Sequence, residues 1–563
     1  MGLVQPLASL YNRAEPTTAN FKEGSMYRFL PRRRIFRLAT ALAMASLAGA
    51  VTISAAAKTT GPTLVGDVQA NLVQNSPFPQ NKQNEPAIAQ NPTNLKNLIA
   101  GANDEVDLPA CTASGCPFVA NVGLSGVYVS NDGGNSWTQF SAPSGGDNTA
   151  SFNGDGSTIH TLPGFGKLAR QVGLPGLASD GDPNIAFNAR GTAYYSSLAG
   201  VRGTTIGDLI TVSSSADGGK TWSDPVLATN KTNPVDFNDK ETVWVDRNPA
   251  SPFNGNVYVS WTLFVGVPGT AEPIMFTRST DGGKTWSPAE KLSASYNNNA
   301  IGGRQGSTIR TDAAGNIYVI WESGVTINGF RTDAQVFAKS TDGGLSFSRP
   351  AVIAPVHDLP SPLPGSSFRN DSFASADIGP NGTVYVAWAD YQSGHASVVS
   401  SRSSNGGSSW TAPAVALDVD GRSAFFPGIA VSPDGSKVTV ATQALDDVPA
   451  GTKPGAGVVL YDSYIAESTS GGTSFSAPVK ISSASSDPDV SSTNSLAAQF
   501  QGDYNTLFSD NTNAWFIWTD GRNGATCDAV DAYRAGTAPK PSVPDSCPGN
   551  FGNTDIFVGT VTL

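Results

Sequence analysis

One octapeptide recurs along this chain and limits what it can fold into more than any other feature. Each copy begins with Ser, has two adjacent glycines at its centre and ends with Trp or Phe. The six copies occupy residues 130–137, 215–222, 279–286, 340–347, 403–410 and 468–475. Their third positions are 85 residues apart at the first step and 61 to 65 residues apart thereafter. A period of this kind indicates repeated copies of one supersecondary unit.

The octapeptide has the chemistry of a tight hairpin turn. Its two glycines supply the positive φ angles that such a connection needs. The residue before them is Asp in four copies, and its carboxylate accepts hydrogen bonds from turn N–H groups. Asn405 and Ser470 replace it in the other two and do this more weakly. The final aromatic residue is expected to pack as an apolar plug between neighbouring sheets.

Short β-rich segments precede the turns. Residues 256–261, 316–321 and 383–388 are examples, each following a Gly, and another short strand comes before each of them. We therefore predict four strands in each unit, with the octapeptide turn between the third strand and the fourth. Counting the first strands gives seven units, which begin near residues 85, 182, 240, 305, 371, 424 and 502.

These units predict an all-β fold, a seven-bladed β-propeller of four-stranded antiparallel blades. The seventh unit lacks the octapeptide, and residues 555–563 are interpreted as its third strand. Residues 65–72 are expected to supply its fourth strand and so close the ring, because an unpaired edge strand invites aggregation. A six-bladed ring, with one unit misread, is the alternative.

Composition agrees with many short strands. The 563 residues include 60 Gly and 38 Pro, and only 14% are charged, which argues against a helical bundle. The net charge is −11, and residues 58–563 carry 28 basic and 44 acidic residues, a net −16. A body this acidic repels phosphate backbones and anionic lipids, so we expect neither nucleic-acid nor membrane partners. The three histidines lie far apart in sequence, which argues against a multi-His zinc site.

Residues 1–57 are interpreted as an N-terminal extension and signal peptide, with Met26 as an alternative start. Four arginines between residues 32 and 37 precede an apolar stretch at 38–53 and three alanines at 55–57, a cleavage pattern. A retained N-terminal anchor is the alternative. Residues 58–563 are predicted to form a single propeller domain that is secreted or periplasmic.

The four cysteines predict two disulfides. An exported chain meets an oxidising compartment, and an even number of cysteines permits full pairing. The local pairing Cys111–Cys116 and Cys527–Cys547 is the simplest of the three connectivities. A Cys-metal site is the alternative, although these spacings match no common zinc pattern.

Ligand-binding groups are expected at the starts of the innermost strands, which surround the central channel of a propeller. The first three units and the last have acidic residues there: Glu85, Asp182, Asp239 with Glu241, and Asp503 beside Tyr504. Three middle units have arginines instead: Arg304, Arg369 and Arg422, with Asp371 near the second. Such a site would clamp a carboxylate with arginines while acids act opposite. The alternative is that these charges pair with one another.

The octapeptide resembles the Asp-box, or BNR, repeat of sialidases and related β-propellers, and the resemblance covers about residues 62–563. It implies that the boxes serve structure on the face away from the catalytic funnel. It also implies an arginine triad for a substrate carboxylate, a Tyr nucleophile assisted by Glu, and an Asp acid/base. Tyr504 with Asp503 would fill the nucleophile's role, and Asp104 or Glu105 that of the acid/base.

One position departs from the family's pattern. The family's first arginine lies in an F/Y-R-I-P motif, and Asn84 stands at that position here. An amide has neither the charge nor the bidentate fork of a guanidinium. The resemblance therefore implies a carbohydrate-active glycoside hydrolase, exo-sialidase-like with an incomplete signature. A non-catalytic glycan- or protein-binding propeller is the alternative, and a propeller lyase or oxidoreductase is a third hypothesis.

No cofactor is expected, and structural calcium is the alternative. Asp180-Gly-Asp182 and Asp487-Pro-Asp489 provide clustered oxygens, but neither fits a defined calcium loop and ordinary turns explain them. The expected partner is a glycan or glycoconjugate, and the chain is expected to be a monomer.

Overall fold

The computed structural model describes residues 61–72, 76–116, 118–152, 158–202, 208–229, 236–266, 271–294, 304–327 and 330–563, with residue 304 described by its backbone alone. The predicted signal peptide lies outside these ranges. Among the described helices, none is long and apolar enough to cross a membrane.

The described residues form seven antiparallel sheets, which we call blades 1 to 7. The first strand, β1 (Thr63–Gln69), belongs to blade 7. Blade 1 contains β2 (Gln83–Gln90), β3 (Leu98–Asp104), β4 (Ser125–Ser130) and β5 (Thr138–Gln139). It is followed by a small sheet of β6 (Ala142–Pro143) and β7 (Thr158–Ile159) and by the helix α1 (Phe165–Val172). Blade 2 contains β8 (Ala178–Ser179), β9 (Asn184–Phe187), β10 (Ala193–Gly200), β11 (Leu209–Ser215) and β12 (Val226–Leu227).

Blades 3 to 6 have four strands each. Blade 3 contains β13 (Phe237–Val245), β14 (Val257–Phe264), β15 (Ile274–Ser279) and β16 (Glu290–Lys291). Blade 4 contains β17 (Arg304–Thr311), β18 (Ile317–Ile327), β19 (Phe330–Ser340) and β20 (Ala351–Val356). Blade 5 contains β21 (Ser375–Ile378), β22 (Val384–Gln392), β23 (His395–Ser403) and β24 (Ala414–Leu417). Blade 6 contains β25 (Arg422–Val431), β26 (Val438–Asp446), β27 (Tyr461–Ser468) and β28 (Val479–Lys480).

Blade 7 completes the ring. A 3-10 helix (Pro488–Val490) precedes β29 (Thr506–Ser509) and β30 (Asn513–Asp520), and the helices α2 (Asp528–Arg534) and α3 (Val543–Ser546) precede the last strand, β31 (Asp555–Thr562). β1 pairs antiparallel with β31 as the outer strand of this blade. The inner strands contact one another in cyclic order, from β2 through β9, β13, β17, β21, β25 and β29 back to β2. The seven-bladed prediction and the closing N-terminal strand are therefore confirmed, and the six-bladed alternative is wrong.

Aromatic residues fill the space between blades. Trp261, Trp321, Trp388 and Trp518, which lie on the second strands, are at most 2% exposed. The aromatic residues that end the octapeptides each pack against a hydrophobic cluster formed by the strands of the blades, as predicted. They are Trp137, Trp222, Trp286, Phe347, Trp410 and Phe475. Burial of these aromatic side chains, from the second strands and from the octapeptides, stabilises the ring.

The octapeptides form the predicted turns at one end of the ring, which we call the box end. In blade 1, Ser130 pairs with Leu98, and Leu98 pairs with Gln90 at the end of the inner strand. The inner strand begins at the opposite end, where Gln83 pairs with Asp104. We call that second end the axial end. It carries the β3–β4 and β30–β31 connections as well as the starts of the inner strands.

The two predicted disulfides, Cys111–Cys116 and Cys527–Cys547, are present. They lie in the β3–β4 and β30–β31 connections, which are both at the axial end. Their sulfurs pack in one apolar cluster with Phe78 and Phe551, among others. The disulfides therefore stabilise the long connections of two adjacent blades rather than the blades themselves.

Candidate active site at the axial end

The inner strands carry a repeated irregularity near their starts. β-bulges interrupt the pairing of β2, β13, β17 and β25 with the second strands of their blades. One residue in each bulge has a positive φ: Glu85 (56°), Lys240 (53°), Gly306 (65°) and Phe426 (50°). Asp182 (51°) precedes β9 in blade 2 at the corresponding place. Bulges of this kind redirect side chains and occur often beside active sites.

Three of these positive-φ residues are charged, and they lie in consecutive blades. Glu85, Asp182 and Lys240 adopt a conformation that glycine would adopt without strain, at a cost of about 1 to 3 kcal/mol each. Strain held by non-glycine residues is concentrated at functional sites. The bulges therefore point to a site formed by blades 1 to 3.

Glu85, Asp182 and Asp239 form what we call the axial acid cluster. Asp182 is hydrogen-bonded through its side chain to both Glu85 and Asp239. Asn103 holds the first two in place. Its Nδ2 donates to Glu85 Oε2 at 2.7 Å, and its Oδ1 accepts from the Asp182 backbone N–H at 2.7 Å. Glu85 is only 2% exposed.

Burial is the main reason that the pKa values of these acids are raised. It raises the pKa of Asp182 well above its usual range, and the neighbouring Glu85 raises it further. The pKa of Asp239 is raised in the same way, first by burial and then by Asp182. Burial and the charge of Asp503 also raise the pKa of Glu85, although a hydrogen bond from Asp182 opposes them. The pKa of all three carboxyl groups in the axial acid cluster is therefore shifted upward, in the direction that favours the protonated form.

Lys240 and Tyr504 lie beside the cluster. The Lys240 backbone N–H donates to Asp182 Oδ2 at 3.2 Å, and the Lys240 ammonium lies 3.0 Å from the centroid of the Tyr504 ring. Burial and the nearby acids Asp182 and Glu85 raise the pKa of Tyr504 well above its usual range. The phenol is therefore protonated, which does not favour it as a nucleophile unless a base takes its proton.

Arg369 forms a bidentate ion pair with Asp503. Its Nε and one terminal nitrogen donate to the two carboxylate oxygens at 2.7 and 2.6 Å. The pair joins the segment before β21 to the segment before β29, and the Arg369 side chain remains 57% exposed. Because Asp503 takes up the guanidinium fork, Arg369 offers little to a carboxylate ligand.

The structure brings Glu85, Asp239, Arg369, Asp503 and Tyr504 together as the sequence suggested. Glu241 lies nearby as well, at 1% exposure and with no hydrogen-bond partner for its carboxyl oxygens within the described ranges. Sequence reasoning did not include Lys240 among the site residues. Its place in the site depends on the positive φ of the bulge, and its ammonium lies over the Tyr504 ring. Its position between Asp239 and Glu241 was the one signal in the sequence.

Arg422 is placed differently from the expected arginine clamp. It pairs with Asp446 at 2.9 Å and Asp462 at 2.7 Å within blade 6. The residue that corresponds to Glu85 in that blade is Phe426, four positions further along β25. Arg304 begins β17, where the structure describes its backbone alone. A convergent triad with Arg369 is therefore not favoured.

Asp104 lies inside blade 1. It is 0% exposed and accepts hydrogen bonds from Gln83 at 3.0 Å, Tyr128 at 2.8 Å and Gln139 at 2.8 Å. Burial raises its pKa to about 6. Glu105, the other acid/base candidate, pairs with Lys82 at 2.6 Å. These placements do not favour either residue as an acid that reaches a ligand.

The two segments considered for calcium use their carboxylates within the protein. Asp180 pairs with Arg202, and Asp182 belongs to the axial acid cluster. Asp487 accepts from the Asp489 N–H at 2.9 Å, and Asp489 accepts from Arg534 at 3.1 Å. These contacts favour the interpretation of the segments as ordinary structure.

No protein-family model matches the chain, and the comparison with curated proteins found no match. Solved structures with some similarity include an α-L-arabinofuranosidase from Fusarium graminearum, at 13% identity over 68% of this chain and 92% of that chain, with a TM-score of 0.41. A Hadza microbial sialidase is 12% identical over 81% of this chain and 94% of its own, with a TM-score of 0.37. An intramolecular trans-sialidase from Ruminococcus gnavus is 11% identical over 66% and 92%, with a TM-score of 0.41. At these values the propeller assignment rests on the strand pairing described above.

Proposed function

We propose that the protein is a glycoside hydrolase whose active site is the axial acid cluster together with Asp503. The observation that carries the proposal is the contrast between two kinds of carboxyl group in one site. The Asp182 side chain is hydrogen-bonded to the carboxyl groups of Glu85 and Asp239, whereas both Asp503 oxygens accept from Arg369. Glycosidases need both a proton donor and an ionised carboxylate.

In this proposal Asp182 is the general acid. Its raised pKa supplies a proton for the leaving oxygen of a glycosidic bond, and Glu85 and Asp239 keep that proton within the cluster. Asp503 is the carboxylate that stabilises the positive charge developing on the sugar. Arg369 positions Asp503 through two hydrogen bonds, and Lys240 limits the negative charge of the site.

The charge of the site supports a neutral sugar as the substrate rather than a sialoside. Arg369 is already paired, and Asn84 is 1% exposed with its side chain bonded to Asn103 at 2.9 Å. An anionic sugar would therefore meet several carboxyl groups and no free arginine fork in the described part of the site. Exposure of Arg369 leaves the site open to solvent on one side.

Hydrolysis of a panel of aryl glycosides of neutral pentoses and hexoses, with one aryl sialoside, tests the proposal. We expect turnover of a neutral glycoside, no turnover of the sialoside, and a loss in kcat of at least about 100-fold for Asp182→Asn and for Asp503→Asn. Tyr504→Phe should keep most of the activity.

Two outcomes would contradict this assignment. Sialoside turnover that Tyr504→Phe abolishes would favour the sialidase-like mechanism instead. Binding of glycans without turnover of any of them would favour the non-catalytic binding propeller. Asp418→Asn, at a carboxyl 53% exposed beside His395, is the matched control and should leave kcat unchanged.

A further inference from the structure

His395 lies where blades 5 and 6 meet, and it is not one of the residues of the proposed active site. It begins β23, directly after a tight turn in which Ser393 and Gly394 both have positive φ angles, 56° and 85°. Gln392 pairs with His395 across this turn. A hairpin closed by two residues of positive φ has a defined register. The hairpin therefore fixes the backbone from which the imidazole projects.

Both ring nitrogens of His395 contact aspartates. Nδ1 lies 2.7 Å from Asp447 Oδ2, and Nε2 lies 2.6 Å from Asp418 Oδ1. A neutral imidazole has one N–H and one lone pair, so it can donate to only one of two carboxylates and its lone pair repels the other. The imidazolium donates to both. The geometry therefore suits the protonated ring and not the neutral ring.

The two aspartates belong to connections of different blades. Asp418 follows β24 of blade 5, and Asp447 follows β26 of blade 6. The Asp447 N–H donates to the Gly421 carbonyl at 2.9 Å, and Ser423 Oγ donates to Asp447 Oδ1 at 2.5 Å. These contacts fix Asp447 and direct its second oxygen to the imidazole. His395 therefore bridges two connections that are already held close together.

Other charged groups lie on the segments packed around His395. Arg422 pairs with Asp446 at 2.9 Å and Asp462 at 2.7 Å. The remaining ones are Asp420 and Lys453 on the connections of blades 5 and 6, Asp390 on β22, and His357, Asp358, Arg369 and Asp371 on the segment before β21. Burial lowers the pKa of His395, but the hydrogen bonds to Asp418 and then Asp447 outweigh it and raise the pKa above its usual 6.5.

We propose that His395, Asp418 and Asp447 form a pH-sensitive latch, which joins the connections of blades 5 and 6 while the imidazole is protonated. Loss of the ring proton removes one of the two hydrogen bonds and the attraction to both carboxylates. Because the folded-state pKa of His395 is raised, the stabilisation is fully present below about pH 6.5 and is lost as the pH rises through that pKa.

NMR of the whole chain with ¹³C- and ¹⁵N-labelled histidine tests the protonation of the latch. The chain has three histidines, and His395→Gln assigns the resonances of His395. We expect His395 to titrate above pH 6.5 and to carry protons on both ring nitrogens below that pH. Asp418→Asn and Asp447→Asn should each lower the pKa of His395. His357→Gln, on the neighbouring segment, is the matched control and should leave the titration of His395 unchanged.

Amide hydrogen exchange separates a latch from a histidine that is protonated without holding the connections together. The Ala396 N–H donates to Ser423 Oγ at 3.1 Å and the Asp447 N–H to the Gly421 carbonyl, so both amides report local opening. At pH 5.5 we expect peptides containing them to exchange at least about threefold faster in His395→Gln than in the unmodified chain. Above the pH at which His395 titrates, the ratio should fall to one.

Thermal unfolding at pH 5.5 establishes that the variants fold. The Tm should fall by about 1 °C for His395→Gln and by less for Asp418→Asn, which keeps one of the two bonds. If His395→Gln does not fold, Asp418→Asn, at a carboxyl that is 53% exposed, provides the same exchange comparison.

Three results would overturn the proposal. His395 could titrate at or below pH 6.5, one of its ring nitrogens could lack a proton at pH 5.5, or the exchange ratio could be the same on both sides of the titration. All three measurements are made without substrate, so they are independent of the proposed hydrolysis.

Discussion

Aspartates at the two ends of the propeller behave in opposite ways. At the box end, Asp281 is exposed and Asp342 is partly exposed, and each accepts hydrogen bonds from a turn hydroxyl at 2.6 Å and from backbone N–H groups. These bonds lower the pKa of both to about 2. At the axial end, burial and neighbouring acids raise the pKa of Asp182 and Asp239. The pKa of an aspartate is therefore lowered at the box end, which favours the anion, and raised at the axial end, which favours the protonated acid.

The backbone shows the same contrast. At the box end, glycines such as Gly282 and Gly283 take the positive φ angles, where they cause no strain. At the axial end, Glu85, Asp182 and Lys240 take them instead. A scaffold gains nothing from a charged side chain on strained backbone. The comparison indicates that the box end is built for stability and the axial end for chemistry.

The largest expected effect comes from replacing one aspartate by asparagine at each end of the propeller. Asp182→Asn should lower kcat on the best neutral glycoside by about 1,000-fold, because the proton donor is lost. Asp281→Asn should leave kcat within a factor of two, since Asn405 already serves the same turn in blade 5. Steady-state kinetics on both variants measures the difference. Equal losses in the two variants would remove the distinction between the ends.

A smaller effect is expected from removing one lysine at each end. Lys240→Met should lower the free energy of unfolding at pH 7 by about 3 kcal/mol, because buried acids lose the cation beside them. Lys284→Met, in the exposed part of an octapeptide, should change it by less than about 0.5 kcal/mol. Urea unfolding of both variants provides the comparison. If Lys240→Met costs no more than Lys284→Met, the axial acids do not depend on that cation.

The sequence predicted the scaffold well because the scaffold repeats. Each octapeptide fixes one turn through local contacts, such as the Ser279 hydroxyl donating to Asp281 at 2.7 Å. Seven similar units leave little choice of architecture. The axial end does not repeat in this way, and its residues had to be inferred from where each inner strand begins.

The distance from the start of an inner strand to its bulge differs between blades, and that distance decides which of the predicted residues lie together in the structure. β2 begins two residues before Glu85, whereas β25 begins four residues before Phe426, so Arg422 was placed too near the axis. Lys240 was not predicted as a site residue, because the direction of its side chain depends on the backbone conformation of the bulge, which the sequence pattern does not reveal. The folded chain also brings together Glu322, Asp358 and Asp371, with one carboxyl oxygen of each within 4.8 Å of the others. They come from segments up to 49 residues apart in the sequence, so no local pattern predicts their convergence.

The dependence of stability on pH should differ in sign between the two ends. The folded pKa of Asp281 lies below its unfolded value, so its contribution is present above about pH 4 and is lost as the pH falls toward 2. The folded pKa of Asp182 is raised, so its contribution is present below about pH 4 and is lost as the pH rises. Relative to the unmodified chain, Asp182→Asn should gain Tm as the pH rises from 4 to 8. The deficit of Asp281→Asn, at most about 1 kcal/mol because its carboxylate is screened by solvent, should shrink as the pH falls from 4 toward 2. Thermal unfolding from pH 2.5 to 8 tests both signs, and parallel profiles would contradict the comparison.

The smallest effect concerns the weakest octapeptide. The single Ser470 hydroxyl accepts from the Ser474 N–H at 3.1 Å and from the Thr473 hydroxyl at 2.6 Å, and it lies 3.0 Å from the Ser474 hydroxyl. An Asp carboxylate has a second oxygen for the hydroxyl at that position, as in Asp281, which accepts from Thr285 Oγ1 at 2.6 Å. Ser470→Asp should therefore stabilise the chain by about 0.5 kcal/mol, and Asp217→Ser should destabilise it by a similar amount. Differential scanning calorimetry would register Tm shifts of about 1 °C in opposite directions. Kinetics should not change in either variant, because both lie at the box end. A change in kcat with either substitution would mean that the turns transmit strain to the axial end, and the two ends would then not be separable.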